Sequence, residues 1–240
     1  MLTDPPHILF NLPTRGGIST KCFEGFMAFT DFALDNGIAY DIEIMNGCSI
    51  ISLGRSIMFS KALADPNWTH MMWIDDDIGW KPEDIMALLI HDKDIVGGSY
   101  PKRSYPIEKT HTPFNNKNFY LQSEKKVYED EYIEEIKYLP TGFMMLTRKV
   151  CEDMAEKYAH LKFEFGDLNT KRDYPYYDVF GCFHYHDPGH PEKTEGTNGY
   201  YLTEDYAFCQ RARDIGYSIY LSKKISLSHT GDHTFKFKTP

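Results

Sequence analysis

Apolar residues in the first hundred positions recur with two periods, one typical of strands and one typical of helices. Short apolar runs between turn residues predict strands, whereas apolar residues three or four positions apart predict amphipathic helices. The predicted elements are a strand at His7–Pro13, a helix from Ser19 or Thr20 to Asn36-Gly37, a strand at Tyr40–Met45, a helix from about Leu53 to Ala64, a strand running from His70 into an acidic cluster, a helix starting at Pro82 and a strand at Asp94–Gly98. This alternation is typical of a doubly wound α/β unit with a Rossmann-like, mostly parallel sheet flanked by helices.

The same pattern predicts which helix faces are buried. The stripe expected to be buried on the first helix consists of Phe23, Phe26, Met27, Thr30, Ala33 and Leu34. In the third helix, Pro82 fits the first helical position, and Ile85, Leu88 and Leu89 supply the buried face.

The second half of the chain is patterned differently. Residues from about 107 to 138 are polar, with short alternating runs at 119–121 and 132–136, and they predict a smaller, antiparallel sheet that is partly exposed. Residues from about 164 to 200 follow no sustained period, which is typical of a lid or a binding loop. The remaining predicted elements are a buried strand at Gly142–Leu146, a helix carrying Val150, Met154 and Tyr158, a helix from Thr203 to Ile215, and strands at Tyr217–Leu221 and Ile225–His229.

No internal repeat or low-complexity linker divides the chain. We therefore expect a single domain over residues 1–240, with one half at about 1–103 and the other at about 104–240. The formal net charge of −9 argues against a nucleic-acid-binding surface, because a phosphate backbone needs a basic surface. A small charged ligand held through a metal ion remains compatible with that charge.

The five cysteines are odd in number, widely scattered and without a Cys-x-x-Cys pair. They indicate neither a disulfide framework nor a zinc site, and they favour a reducing compartment. The N-terminus shows no signal-peptide pattern, and no apolar run approaches the roughly 20 residues that a membrane span needs. We therefore expect a soluble, cytoplasmic protein.

The first candidate for chemistry is the acidic cluster Asp75-Asp76-Asp77, which ends an apolar run. Open α/β sheets bind ligands at the carboxyl ends of their strands, and adjacent carboxylates repel one another unless a cation lies among them. In an extended chain, Asp75 and Asp77 would point to one side and Asp76 to the other. Their oxygens suit Mg²⁺ or Mn²⁺ and a phosphate-bearing substrate. The alternative is a solvated acidic turn that caps the next helix.

A second candidate is Glu204-Asp205 at the start of the last helix. Acidic residues in a first helical turn are stabilising for electrostatic reasons alone, but such a carboxylate could also accept a proton as a general base. His229 shares the phase of Ile225 and Leu227 and is expected to face inward, either as a hydrogen-bonded core residue or as a metal ligand.

Further candidates are cations and histidines. Arg55, at the start of its predicted helix, could hold a diphosphate or could be an ordinary surface residue. Lys102 and Arg103 follow a strand end at the same predicted edge of the sheet. His184, His186 and His190 lie close to Asp187 in sequence but match no common metal-binding spacing, so loop contacts are favoured over a second metal site.

Taken in order, these motifs resemble a glycosyltransferase of the GT-A fold, in the broad family-2-like group that uses nucleotide sugars. The resemblance spans nearly the whole chain. The segments that carry it are the Pro13-Thr14 strand end, the Arg55 helix, Trp73–Ile78, Ile95–Lys102, Gly142-Phe143-Met144, Glu204-Asp205 and His229-Thr230-Gly231.

The resemblance implies a metal-dependent enzyme that moves a sugar from a nucleoside-diphosphate sugar to a hydroxyl acceptor such as a glycan. It implies an inverting reaction with Asp205, beside Glu204, as the general base. The metal, Mn²⁺ or Mg²⁺, would be held by Asp75, Asp77 and His229. The residues that would contact the donor nucleotide sugar are Pro13, Thr14, Arg55, Asp75, Asp76, Tyr100 and Lys102.

The chain departs from this family at two places. The Gln-x-x-Arg-Trp segment typical of processive synthases is absent, and Gln210-Arg211-Ala212-Arg213 is a partial match, which favours transfer of a single sugar. Asn46-Gly47 stands where the family usually has an acid at the end of the second strand, so recognition of the base stays open. Two other classes also stay open: a metal-dependent phosphohydrolase that uses the same acids, and a non-catalytic sugar-binding protein of the same fold.

Overall fold

The structure, a computed structural model, describes residues 5–103, 112–113, 132–164, 173–188, 191–231 and 234–236. Its strands are β1 His7–Thr14, β2 Ala39–Asn46, β3 His70–Ile74, β4 Ile78–Gly79, β5 Ile95–Gly97, β6 Thr112–Pro113, β7 Ile133–Tyr138, β8 Phe143–Thr147, β9 Lys162–Phe163, β10 Tyr176–Tyr177, β11 Phe183–Tyr185, β12 Tyr200–Leu202, β13 Ile219–Ser222, β14 Ser228–Thr230 and β15 Thr234–Lys236. Its α-helices are α1 Thr20–Asn36, α2 Ile51–Ala64, α3 Pro82–His91, α4 Arg148–Lys157 and α5 Glu204–Asp214, and short 3₁₀ turns lie at Ala159–Leu161 and Pro191–Thr194.

Within these residues, the central sheet has the strand order β2-β1-β3-β8-β5-β13-β7-β6. β1 is parallel to both β2 and β3, and β13 is parallel to β5, whereas β8 and β7 run opposite to the other strands. Smaller antiparallel sheets join β9 to β10, β11 to β12, and β4 to β14 and β15. The predicted α/β class, with a mostly parallel sheet flanked by helices, is confirmed.

β3 is the central strand that positions the acidic cluster, and it is buried on both faces as predicted. Met71 and Trp73 belong to an apolar cluster with residues of α2, α4 and α5 on one face of the sheet. Met72 and Ile74 belong to a second cluster, with residues of α1 and α3, on the other face. Side chains of successive strand residues alternate between faces, so one five-residue strand contributes to both cores.

The ends of two helices follow local signals that the sequence carries. Ser19 is the N-cap of α1 and accepts a hydrogen bond from the backbone of Cys22 at 3.2 Å, and Gly37 ends the helix with φ 64°. Pro82 occupies the first turn of α3, as predicted.

The buried face of α1, in contrast, differs from the prediction. Its buried residues are Cys22, Gly25, Phe26, Phe29 and Ala33. Of the six residues in the predicted stripe, only Phe26 and Ala33 are buried. The other four, Phe23, Met27, Thr30 and Leu34, are exposed, so the predicted stripe is wrong at those positions.

Packing against Trp80 explains this rotation of α1. The indole ring contacts Phe26 edge-on at a centroid distance of 5.1 Å, and Phe26 and Phe29 both pack edge-on against Phe10 of β1. At Gly25 a Cβ atom would lie 2.7 Å from the indole, so glycine allows the helix to approach the ring closely. Because α1 has apolar residues on more than half of its circumference, periodicity alone could not choose between its faces.

Several other predicted boundaries shift by a few residues. α2 begins at Ile51 rather than Leu53, and the last predicted strand, Ile225–His229, is observed as β14 at Ser228–Thr230. The predicted run at 119–121 and His190 lie outside the described residues. No helix in the described ranges is long and apolar enough to cross a membrane.

The corrected face of α1 predicts the outcome of a core substitution. Phe29→Ala should lower the free energy of unfolding by about 3–5 kcal/mol, because it removes a fully buried ring from the Phe10–Trp80 cluster. Ile90→Ala on α3, where the side chain is 74% exposed, is the control and should change that free energy by about 0.5 kcal/mol or less. Urea unfolding followed by circular dichroism measures both, and equal losses would contradict the observed packing.

Candidate active site

A cavity of about 370 Å³ opens where β1, β2 and β3 end at the same edge of the sheet. Ligands of open α/β sheets bind at the carboxyl ends of strands, and the volume is within the range of small-molecule sites. The residues that line it are Pro13, Thr14, Arg15, Cys48, Ser49, Ile51, Asp75, Asp76, Asp77 and Arg103.

The acidic cluster forms a turn and not an extended segment. β3 ends at Ile74, and the backbone amide of Ile78 donates to the carbonyl of Asp75 at 3.1 Å. The carbonyl of Asp77 accepts from the amide of Thr230 at 2.8 Å, which fixes the far end of the turn on β14. The condition of an extended chain, under which Asp75 and Asp77 would point to one side, is therefore not met. Each carboxylate has its own set of neighbours.

Asp75 pairs with Arg55, which is 2% exposed and lies in the second turn of α2. Nη2 of the arginine donates to Oδ1 of the aspartate at 2.8 Å, and the guanidinium lies 5.5 Å from the centre of the Trp73 ring. Arg55 is thus neither at the first turn of its helix nor on the surface. Nε and Nη1 are buried and have no hydrogen-bond partner within the described part of the chain.

Three carboxylates act electrostatically on this guanidinium, and one of them, Asp75, contacts it directly. Burial alone would lower the pKa of Arg55, but Asp75, Asp205 and Glu204 together raise it above its ordinary value. The start of α5 therefore lies within electrostatic reach of the end of β3, although the two motifs are far apart in sequence. A buried charge of this kind needs such partners, because an unpaired charge in a protein interior is very costly.

Asp205 has the environment of a proton acceptor. Burial raises the pKa of its carboxyl group, while Arg55 and the hydroxyl of Thr141 lower it. The residue retains some exposed surface, but Oδ1 is itself buried and has no hydrogen-bond partner among the described residues. The pKa of Glu204 is also raised, by burial and by the adjacent Asp205. A carboxyl group with a raised pKa can accept a proton near neutral pH.

Asp76 organises the loop that follows β1. Its carbonyl accepts a hydrogen bond from the amide of Ser19 at 2.8 Å. Burial raises the pKa of its carboxyl group, and a hydrogen bond with the side chain of Thr14 lowers it by less. The hydroxyl of Thr14 accepts from the amides of Gly16 and Gly17, both at 3.1 Å. Thr14 and Asp76 therefore shape the wall of the cavity.

Asp77 lies beside His229 of β14. Nδ1 of the histidine is 2.9 Å from the carbonyl of Pro101, so this nitrogen carries the proton, because a carbonyl can only accept. Nε2 is 3.3 Å from Oδ2 of Asp77, and in the neutral ring it presents a lone pair to the carboxylate. Arg103 also contacts Oδ2, at 3.1 Å. Two acceptors facing each other are stabilised by a proton or by a cation.

This pair is compatible with the predicted divalent ion, since an imidazole nitrogen and a carboxylate oxygen are common ligands of Mn²⁺. The structure does not, however, bring Asp75, Asp77 and His229 into one set. In the described part of the chain, no group of three or more His, Cys, Asp or Glu side chains is arranged to hold a metal ion. Metal binding by these residues stays a prediction.

Gly142, between β7 and β8, allows the site residues to pack closely. Its carbonyl accepts from the amide of Asp75 at 3.1 Å. A Cβ atom at this position would lie 2.6 Å from Oδ2 of Asp75 and would clash with the hydroxyl of Tyr100. Tyr100 is buried, packs edge-on against His229 at 5.2 Å, and has a pKa raised by burial.

The other predicted residues lie farther out. Lys102 is exposed. His184 packs against Tyr201 at 5.5 Å, and Nδ1 of His186 is 3.1 Å from the hydroxyl of Thr194. The first is a contact between the paired strands β11 and β12. The preference for loop contacts over a second metal site stays a prediction.

Sequence reasoning missed several lining residues, namely Arg15, Cys48, Ser49 and Ile51, together with Thr141 and Gly142. One signal could have found part of this set, because Arg15 and Cys48-Ser49 directly follow the first two predicted strands. Residues at those positions share the carboxyl edge of a parallel sheet.

Comparison with known proteins adds a likeness of fold. No family model matches the chain, and no curated protein matches its sequence. A197 from STIV is similar in structure, with a TM-score of 0.54 and 15% identity, over 98% of this chain and 95% of that one. At that identity the likeness shows the fold alone.

A glycosyltransferase involved in the glycosylation of the major capsid of PBCV-1 matches more weakly. Its TM-score is 0.36 and its identity 14%, over 90% of this chain and 93% of that one. A likeness at this level carries no weight for function.

The close approach at Gly142 predicts a cost for any side chain there. Gly142→Ala should lower the free energy of unfolding by about 1–3 kcal/mol, because the methyl group displaces Asp75 and Tyr100. The control is Gly17→Ala, where no described atom lies within 4 Å of the added carbon, and there the change should be about 0.5 kcal/mol or less. Urea unfolding measures both, and a tolerated Gly142→Ala would contradict the observed approach.

The raised pKa of Asp205 predicts a dependence of stability on pH. A carboxyl group whose pKa is higher in the folded state stabilises the fold below its unfolded pKa of about 4, and that contribution is lost as pH rises through the folded-state pKa. Asp205→Asn should therefore become more stable relative to the wild type as pH rises from about 4 to about 7. Urea unfolding at several pH values measures the difference, and a difference that does not change with pH would refute the assignment.

Proposed function

We propose that this protein is a glycosyltransferase that moves a sugar from a nucleoside-diphosphate sugar to a hydroxyl acceptor, with inversion at the anomeric carbon. The observation that carries the proposal is the meeting of Asp75, Arg55 and Asp205 around one buried charge, beside a cavity at the carboxyl edge of the sheet. Asp75 lines the cavity and pairs with Arg55, whose charge also acts on Asp205, which supports a proton-accepting carboxyl group close to a ligand-sized cavity.

The donor would occupy the cavity between the ends of β1, β2 and β3. Pro13 and Thr14 form one wall, Asp75 and Asp76 another, and Arg103 supplies a positive charge that suits a diphosphate. Asp77 and His229 are the residues that would hold a divalent ion. When bound, Mn²⁺ or Mg²⁺ supplies positive charge that stabilises the leaving nucleoside diphosphate.

Asp205 would act as the general base. Its carboxylate takes the proton of the acceptor hydroxyl while the acceptor oxygen forms a bond to the anomeric carbon and the bond from that carbon to the diphosphate oxygen breaks. Arg55 is a positioning residue, since its Nη2 holds Asp75 and its charge keeps the neighbouring carboxylates in place. Glu204, next to Asp205, would add negative charge near the developing positive charge of the sugar ring.

Asp205→Asn tests the proposal most directly. It should lower the rate of sugar transfer by roughly 10²–10⁴-fold, because the amide cannot accept the proton, while binding of the nucleotide, followed by thermal shift, stays close to that of the wild type. The matched control is Asp214→Asn at the other end of α5, where the carboxylate bonds to Gln210 at 2.6 Å. Transfer by the control should be unchanged.

The assay uses the full chain with a panel of nucleotide sugars, with Mn²⁺, with Mg²⁺ or with a chelator. Transfer that needs the metal and Asp205 supports the proposal. Release of phosphate from simple phosphate esters without sugar transfer would instead identify a phosphohydrolase. Binding of glycans with no turnover of any nucleotide sugar would identify a non-catalytic sugar-binding protein.

A further inference from the structure

The outer flank of α1 and the edge strand β2 present large apolar side chains to solvent. On α1, Phe23 and Met27 are each 54% exposed and Leu34 is 83% exposed. On β2, Ile42 is 41% exposed and Ile44 is 49% exposed. We call these five residues the α1–β2 patch.

One hydrogen bond shows that the exposed apolar side chains of α1 and those of β2 face the same side of the molecule. The hydroxyl of Tyr40 on β2 donates to the hydroxyl oxygen of Thr30 on α1 at 3.0 Å. Helical periodicity places Phe23, Met27 and Leu34 on the same side of α1 as Thr30. Strand alternation places Ile42 and Ile44 on the same face of the sheet as Tyr40. The five side chains therefore form one surface, next to the end of the sheet.

β2 is the terminal strand at this end of the sheet within the described residues. All eight of its residues pair with β1, from His7–Ala39 to Thr14–Asn46, without a bulge. The strand contains neither proline nor lysine. Natural proteins usually protect an edge strand of this length with such residues or with bulges, because its free backbone groups can pair with another chain.

We propose that a second copy of this chain covers the α1–β2 patch, with the two β2 strands paired antiparallel across a two-fold axis. A pairing centred on Ile42 places Ile42 opposite its own counterpart and Tyr40 opposite Ile44 of the second copy. The patch is thus complementary to itself, as a two-fold interface requires. This interface does not depend on the proposed glycosyl transfer.

The charges on the opposite face of β2 permit this pairing. Asp41 and Glu43 would lie opposite acidic residues of the second copy, which would be unfavourable for bare charges. Each already has a partner in its own chain, however, since Nε2 of His7 is 2.7 Å from Asp41 and the ammonium Nζ of Lys61 is 2.6 Å from Glu43.

The surface area that each copy could bury is also adequate for a stable dimer when the free backbone edge of β2 is included. From their exposed fractions, the five apolar side chains offer on the order of 500 Å² per copy, at the upper end for patches on monomeric proteins. A stable two-chain interface buries roughly 800 Å² on each partner. The free backbone edge of β2 and the polar residues around the patch would supply the difference.

Sedimentation equilibrium of the full chain over a dilution series tests the proposal. The wild type should show a reversible equilibrium between monomer and dimer. Ile44→Lys on β2 and Met27→Glu on α1 should each weaken the dimer at least about tenfold, because each places a charge in the apolar contact. Ile90→Lys, at a 74% exposed isoleucine of α3, is the matched control and should leave the equilibrium unchanged.

Hydrogen exchange gives a readout that does not depend on the variants. The outward amides of β2 should exchange more slowly at high protein concentration than at low concentration, and thermal melts should show that each variant is folded. A wild type that stays monomeric at its highest soluble concentration would overturn the proposal. A dimer that both Ile44→Lys and Met27→Glu leave intact would also overturn it, because the contact would then lie elsewhere.

Discussion

The buried guanidinium of Arg55 is the interaction on which the rest of the site depends. It is 2% exposed and donates to Asp75 at 2.8 Å, and the charges of Asp205 and Glu204 also stabilise it. A positive charge in the interior is tolerated only where negative charges compensate the loss of hydration. The requirement therefore fixes three separate elements relative to one another: the second turn of α2, the end of β3 and the start of α5.

The same arrangement sets the chemistry that the site can perform. Burial raises the pKa values of Asp205 and Glu204, and Arg55 opposes that effect without cancelling it. Their carboxyl groups are thus less acidic than exposed ones, which is useful in a base and unfavourable for stability at neutral pH. A site that destabilises its own fold in this way is typical of functional regions, because the charges are held for chemistry and not for packing.

The interior of the sheet at β3 and its edge at β2 differ in character, and the difference follows from the topology of the sheet. On the side of β3, strands and helices cover both faces, and residues such as Trp73 and Met72 are completely buried. At β2 the sheet ends within the described residues, and α1 is rotated so that Phe26 and Phe29 pack on Trp80. That rotation turns Phe23, Met27 and Leu34 outward. The packing that completes the core thus also creates the apolar surface beside β2.

The amino-acid sequence by itself determined the elements whose signals are local. The apolar run before Asp75, the Ser19 cap, Gly37 and Pro82 each act through neighbouring residues, so the alternation of strands and helices and the α/β class could be predicted. The meeting of Asp75, Arg55 and Asp205 at one point, the turn at Asp75–Asp77 and the outward flank of α1 were decided by tertiary structure alone. Each depends on contacts between residues distant in the chain: Gly142 against Asp75, Trp80 against Gly25, and His229 against Asp77. Periodicity shows that a residue is apolar or charged, but only packing decides which neighbour it meets.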